Sequence, residues 1–279
     1  MPDWAAILED LGVAGETPRP VSGGDISAAW RVGDLFLKTG PASSFDMFSA
    51  EAEGLAEIGA TGTIRVPGVV ACNTVTGTAF IATEWLAFGR AARETEARLG
   101  GQLAQLHQVT RDRFGWHRDN TIGLTPQHND WSDDWVTFFQ EQRLGFQLEL
   151  AARNGFSGSL QEQGARLLKR LPVFFEDYAP RPALLHGDLW GGNWASCDGE
   201  PVIFDPAVYY GDPESVLAMT RLFGGFGTAF DEAYAAVLPP ASGSHDRSDL
   251  YQLYHVLNHL NLFGSAYLGR AQELIGRLL

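Results

Sequence analysis

Over the first 86 residues, apolar and polar positions alternate in short runs broken by glycine. "ISAAWRVG" and "LFLKTG" have the period of two strands, and Gly33-Asp34 between them predicts a hairpin turn. "SFDMFSAEAEGLAEIGATG" switches to helical spacing. Phe48, Ala52 and Leu55 fall on one face, and Gly59 predicts the end of the helix. "VPGVVAC" and "GTAFIATEWL" then return to β-branched and aromatic residues between turn signals.

Beyond Leu86 the helical period takes over, in "RETEARLGGQLAQLHQVT", most of "DDWVTFFQEQRLGFQLELAARNG" and "SLQEQGARLLKRLPVFFEDY". Strand, loop and strand interrupt it around "LLHGDLWGGNW" and "PVIFDP". Helices resume in "PESVLAMTRLFGG" and "DLYQLYHVLNHLNLFGSAYLG". The pattern predicts an α+β chain of two lobes. A small β-rich lobe with one helix spans 1–86, a larger and mostly helical lobe spans 87–279, and "EWLAFGR" connects them.

Composition narrows the function. The 279 residues, 45% of them hydrophobic, exceed what one small core usually serves. Only two cysteines are present, which argues against a disulfide framework and points to a reducing cytoplasm. No apolar run of 18 residues occurs and the first residues lack a basic flank, so neither a membrane span nor a secretory leader is expected. The net charge of −14 repels phosphate polymers and sets nucleic acid aside as a partner, while leaving room for an amine-bearing substrate.

Candidate chemistry gathers in two places. Lys38 ends the apolar strand "LFLK", and Glu51 lies beside the apolar stripe of the helix that follows. A carboxylate at a buried face needs a partner, and Lys38 is the natural one. Such a pair resembles the strand lysine and helix glutamate that hold nucleotide phosphates in kinases. Gly23 and Gly24, just upstream, would let backbone N–H groups approach phosphate oxygens. In the second place, Asp188 and Asn193 stand five residues apart, and Asp205 follows 17 residues after Asp188. Phosphoryl transfer needs a carboxylate to accept the proton of the attacking hydroxyl and hard oxygen ligands for Mg²⁺. Asp188 suits the first task, Asn193 and Asp205 the second. His186 reads as a buttress of the loop, and His107, His255 and His259 as structural residues. The chain has no HExxH, paired CxxC or GxSxG, so zinc-hydrolase and serine-hydrolase readings lack support.

"HGDLWGGN", "MTRLFGGF", "YQLYHVLNHLNLFGSAYLG" and the central "DNTIGLTPQHNDWSDDWVTFFQEQRLGFQL" together resemble the fructosamine kinase (ketosamine-3-kinase) family, within the aminoglycoside-phosphotransferase-like kinases. The resemblance implies a bilobal protein-kinase-like fold and transfer of phosphate from ATP, with Mg²⁺, to the 3-hydroxyl of a ketosamine or glycated lysine. It implies Asp188 as base, Asn193 and Asp205 on the metal, and Lys38 and Glu51 on the phosphates beneath the Gly23-Gly24 turn. Glu84 and Leu86 would offer backbone groups to adenine, and Trp190 a wall for the sugar. Two positions depart from the family pattern. Asp25 stands where many members carry cysteine, and Val216 where they carry an acidic residue. A related kinase of an aminoglycoside, choline or sugar, and a non-catalytic binding protein, stay open at this point. So does the oligomeric state, with a monomer the expectation.

Overall fold

A computed structural model describes residues 2–21 and 27–279. The N-terminal part contains α1 (Trp4–Asp10), β1 (Arg19–Val21), β2 (Ala28–Val32), β3 (Leu35–Pro41), α2 (Phe45–Ala60), β4 (Val69–Val75) and β5 (Thr78–Glu84). Its strands form one antiparallel sheet in the order β1-β2-β3-β5-β4. The expected hairpin forms, with Val32 opposite Leu35 and Gly33 in the left-handed region at φ 57°. Helix α2 runs one residue past the expected stop at Gly59.

Strand alternation sorts this sheet into two faces. Leu37, Ala82 and Phe80 pack with Ile7 and Leu8 of α1 on one side. Ala79 and Ile81 pack with Phe48 and Leu55 of α2 on the other. Lys38 is opposite Ile81 in the β3–β5 register, so its side chain belongs to the α2 face. The local pattern alone thus aims the lysine at the helix that carries Glu51.

The remainder is mostly helical: α3 (Arg93–Leu106), α4 (Trp135–Phe139), α5 (Phe146–Arg153), α6 (Ser159–Arg170), α7 (Pro213–Leu222), α8 (Thr228–Val237), α9 (Ser244–Phe263) and α10 (Leu268–Leu278). A π-helical turn, Gln140–Gly145, joins α4 to α5. Three two-stranded pieces lie among the helices: β6 (Asn120–Ile122) with β7 (Thr125–Gln127), β9 (Trp194–Cys197) with β10 (Glu200–Ile203), and β8 (Ala183–Leu185) with β11 (Tyr209–Gly211). One large apolar core joins these elements and takes in Ala50 and Ile58 of α2. Helices α1, α8 and α10 and the β6–β7 hairpin were not read from the sequence. Among the described residues no helix is long and apolar enough to cross a membrane.

Candidate active site

Lys38 lies where the two parts of the molecule meet. Its ammonium donates to Glu51 Oε1 at 2.8 Å and to Asp205 Oδ1 at 2.6 Å. Burial alone would lower the pKa of this lysine, but Glu51 and Asp205 together outweigh it and hold the amine charged. Burial raises Glu51, an effect that Lys38 opposes. The expected Lys38–Glu51 pair is therefore present, and Asp205, 167 residues away from Lys38, completes a triad.

Asp188, Asn193 and Asp205 are held by a loop whose backbone is tied at several points. Asn193 Nδ2 donates to Asp188 O at 2.8 Å and lies 3.4 Å from its Oδ2. His186 Nε2 donates to Phe204 O at 2.9 Å, while its Nδ1 accepts the Asp188 N–H at 3.3 Å. That fixes the tautomer and confirms the buttress. The Phe204 N–H donates to Asn193 O at 3.0 Å, so the loop and the segment before Asp205 lock together. Gly187 has φ 82°, and a Cβ there would lie 2.0 Å from Ala207 O, so only glycine fits. Asp205 itself is left-handed at φ 57°, a costly conformation for a non-glycine residue. Burial pushes the Asp188 carboxyl up to about 7, with Asp205 adding to the rise and the Asn193 amide opposing it.

The other expected site residues lie nearby with varied roles. Leu86 is buried against Cys197 and Val202. The Glu84 N–H donates to Gly68 O at 2.9 Å, and its carboxylate accepts the Gly68 N–H at 3.0 Å, so both are engaged within the sheet region. Trp190 is 41% exposed and its ring covers Gly192, where a Cβ would meet it at 2.2 Å. Gly23 and Gly24, with Asp25, lie outside the described residues. Val216 is buried in the apolar core. His107 is buried, with Nδ1 2.7 Å from the Tyr234 hydroxyl. His259 Nδ1 donates to His255 O at 2.8 Å, the structural use expected.

Several residues that shape the site escaped the sequence reading. Glu57 on α2 accepts from Tyr210 Oη at 2.7 Å, Trp116 Nε1 at 2.5 Å and Arg111 at 3.3 Å. Glu53 pairs with His117 at 2.7 Å and Arg118 at 2.5 Å. Between them Gly54 allows close approach, since a Cβ there would sit 2.9 Å from Val208 Cγ2. Under the same segment, Asn120 Nδ2 donates to Val208 O at 2.8 Å and Gln127 Nε2 to Ala207 O at 3.1 Å. Buried Asp212 accepts from Tyr178, Tyr251 and the Glu214 N–H, and Arg247 holds Glu214 with two bonds. Glu53 and Glu57 had a visible signal, as two further acids on the helix of Glu51. Their partners are more than 50 residues away and had none.

A charged lysine under an antiparallel sheet, paired to a helix glutamate and facing an aspartate–asparagine loop with a second aspartate, defines a phosphotransferase of bilobal protein-kinase-like fold with a hydroxyl acceptor. A family model described as fructosamine kinase matches residues 6–279, and the chain belongs to that family. It is 46% identical to a Synechocystis protein named as a ketoamine kinase, over 99% of this chain and 97% of that protein. It is 43% identical to a protein-ribulosamine 3-kinase of Arabidopsis thaliana, over 91% of this chain and 80% of the relative. A crystal structure from Haemophilus somnus described as a fructosamine-3-kinase superposes with a TM-score of 0.90 at 29% identity, covering 99% of this chain and 97% of the other.

Proposed function

We propose that this chain transfers the γ-phosphoryl group of ATP to O3 of a ketosamine, with Asp188 as the base. The observation that carries the reading is the single ammonium of Lys38 bridging Glu51 and Asp205, beside a loop in which Asn193 is tied to Asp188. The ketosamine assignment is supported by family membership and by the relatives named as ketoamine and ribulosamine kinases. Residues 1–86 serve the nucleotide and residues 87–279 the chemistry and the acceptor.

In the reaction Asp188 accepts the O3 proton as the new O3–phosphorus bond forms and the bond from the γ-phosphorus to the ADP oxygen breaks. A carboxyl held near 7 accepts a proton at neutral pH and does so without trapping it irreversibly. Lys38, kept charged, orients phosphate oxygens, and Glu51 fixes where its ammonium sits. Trp190 offers its half-exposed ring to the C–H face of the sugar. Asn193 and Asp205 fit a hard divalent cation: the Asn193 amide nitrogen is spent on Asp188 O, leaving its oxygen to bind, and Asp205 is a partly exposed carboxylate. Bound there, Mg²⁺ would neutralise phosphate charge. Two free thiols, Cys72 and Cys197, support a reducing location such as the cytoplasm.

Incubation with ATP, Mg²⁺ and a panel of fructosyl-, ribulosyl- and erythrulosyl-amines, followed by ³¹P NMR, tests the assignment. A new phosphomonoester on the ketosamines is expected. Turnover of choline or an aminoglycoside, with none of the ketosamines, would refute it. Asp188→Asn should lower kcat about 10²-fold or more while ADP binding survives. Unchanged turnover removes Asp188 from the base role.

A further inference from the structure

Phe88 stands in the connector between the two parts with 54% of its surface exposed. Its ring lies flat on Phe204, with centroids 5.2 Å apart and planes 12° from parallel. Phe204 directly precedes Asp205, whose carboxylate touches Lys38. A parallel aromatic pair with one half-exposed member therefore sits one residue from the groups assigned to phosphate and metal.

The two rings differ in how they are held. Phe204 is fixed from both sides of its backbone, donating to Asn193 O at 3.0 Å and accepting from His186 at 2.9 Å. Phe88 is followed by Gly89, whose N–H reaches Ser196 O at 2.8 Å, and no side chain other than Phe204 stacks on its ring among the described residues. On the other side of the connector, Leu86 packs on Val202 and Cys197. The Phe88–Phe204 pair thus brackets one side of the connector and the Leu86–Val202–Cys197 cluster the other. A spacing of 5.2 Å leaves no room for a third ring between the pair, because two stacked layers need about 7 Å.

We infer that Phe88 is a movable jaw that closes on the nucleobase, with Phe204 as the fixed jaw. Resting on the nucleotide site proposed above, the base takes the place of the Phe88–Phe204 contact, and Phe88 moves outward to cover it. Stacking against a purine gains what the exposed ring now leaves to water, and it does not depend on hydrogen bonds to particular base edges.

Isothermal titration with ADP and with inorganic tripolyphosphate tests this on the intact chain. In Phe88→Ala the ADP dissociation constant should rise at least about fivefold, the lower end of the range set by one base–aromatic stack. Tripolyphosphate, which lacks the base, should bind as to wild type, and KM for the ketosamine should hold. Phe88→Trp should retain ADP affinity, which separates lost stacking from a disturbed connector. A smaller ADP change in Phe88→Ala, equal loss of ADP and tripolyphosphate, or tighter ADP binding overturns the jaw. So does a wild-type chain that binds no ADP. A wild type that binds ADP yet phosphorylates no ketosamine sinks the proposed function instead, and the same titrations still judge the jaw.

Discussion

Glu57 lies six residues, just under two turns, beyond Glu51 on α2, and its carboxylate is only 19% exposed. Glu57→Ala removes the acceptor for the Tyr210 hydroxyl and the Trp116 indole N–H at once. Each part-buried donor left without a partner costs about 1–1.5 kcal/mol, so a loss of about 2–3 kcal/mol is expected. Tyr210→Phe deletes one hydrogen bond but leaves the carboxylate with Trp116 and Arg111, so its cost should be about 1 kcal/mol. If the two groups act through each other, the double variant should fall short of the sum by about 1 kcal/mol. Urea unfolding followed by tryptophan fluorescence reads these differences.

Activity gives a second readout. Because α2 also carries Glu51, loosening its far end should let the Lys38 ammonium wander. KM for ATP in Glu57→Ala should rise about threefold to tenfold, with KM for the ketosamine unchanged. A merely structural Glu57 would lower the amount of folded enzyme and leave both KM values alone. Additive stabilities, or a destabilised variant with unaltered KM for ATP, would refute the coupling of this contact to the nucleotide site.

Two other positions give sharp outcomes. Gly187→Ala combines a Cβ 2.0 Å from Ala207 O with φ 82°, so it should destabilise the chain by about 3 kcal/mol or more and abolish turnover; a melting temperature within 2 °C of wild type, by the usual scaling of about 2–4 °C per kcal/mol, would contradict this. His107 is held neutral by burial, with a smaller effect from His186, and its pKa falls from 6.5 to about 3. The unfolded chain takes up that proton first, so the stability His107 contributes is present above pH 6.5 and is lost as pH falls, by about 1.4 kcal/mol per pH unit. His107→Phe forfeits the Tyr234 contact, about 1 kcal/mol at pH 7.5, but escapes the acid penalty. Its urea midpoint should therefore cross that of wild type near about pH 5.8, and a difference that stays constant from pH 7.5 to 5.0 rules the mechanism out.

Much of this was legible in the sequence because the signals are local. Strand period put Lys38 on one sheet face, helix period put Glu51 beside an apolar stripe, and glycine with polar spacing marked the loop at 186–193. Each requires only neighbours within a few residues. The missed elements divide. Helix α10 buries Ala271, Leu274, Ile275 and Leu278, an i, i+3, i+4, i+7 stripe that was legible locally and went unread, whereas α8 buries only Ala229, Phe230 and Tyr234, and the β6–β7 hairpin has three-residue strands too short to show a period. Asn120, Gln127 and Asn129 look like loop polarity in the sequence. In the fold they are buried, with Asn129 also accepting from the fully buried Arg143 at 2.6 Å. Asn120 and Gln127 donate to backbone carbonyls 88 and 80 residues ahead, which no periodicity can reveal.

The segment that follows Asp205 runs along one face of α2. Glu51, Gly54 and Glu57, at i, i+3 and i+6, share one helix face and span about 9 Å of axis. They meet, in the same order, Asp205 through Lys38, then Pro206 and Val208, then Tyr210. Asp205 holds a φ of 57°, a conformation that costs a non-glycine residue about 1–3 kcal/mol and persists only where surrounding contacts fix the segment. The contacts of α2 with Pro206, Val208 and Tyr210, one to five residues beyond Asp205, are contacts of that kind.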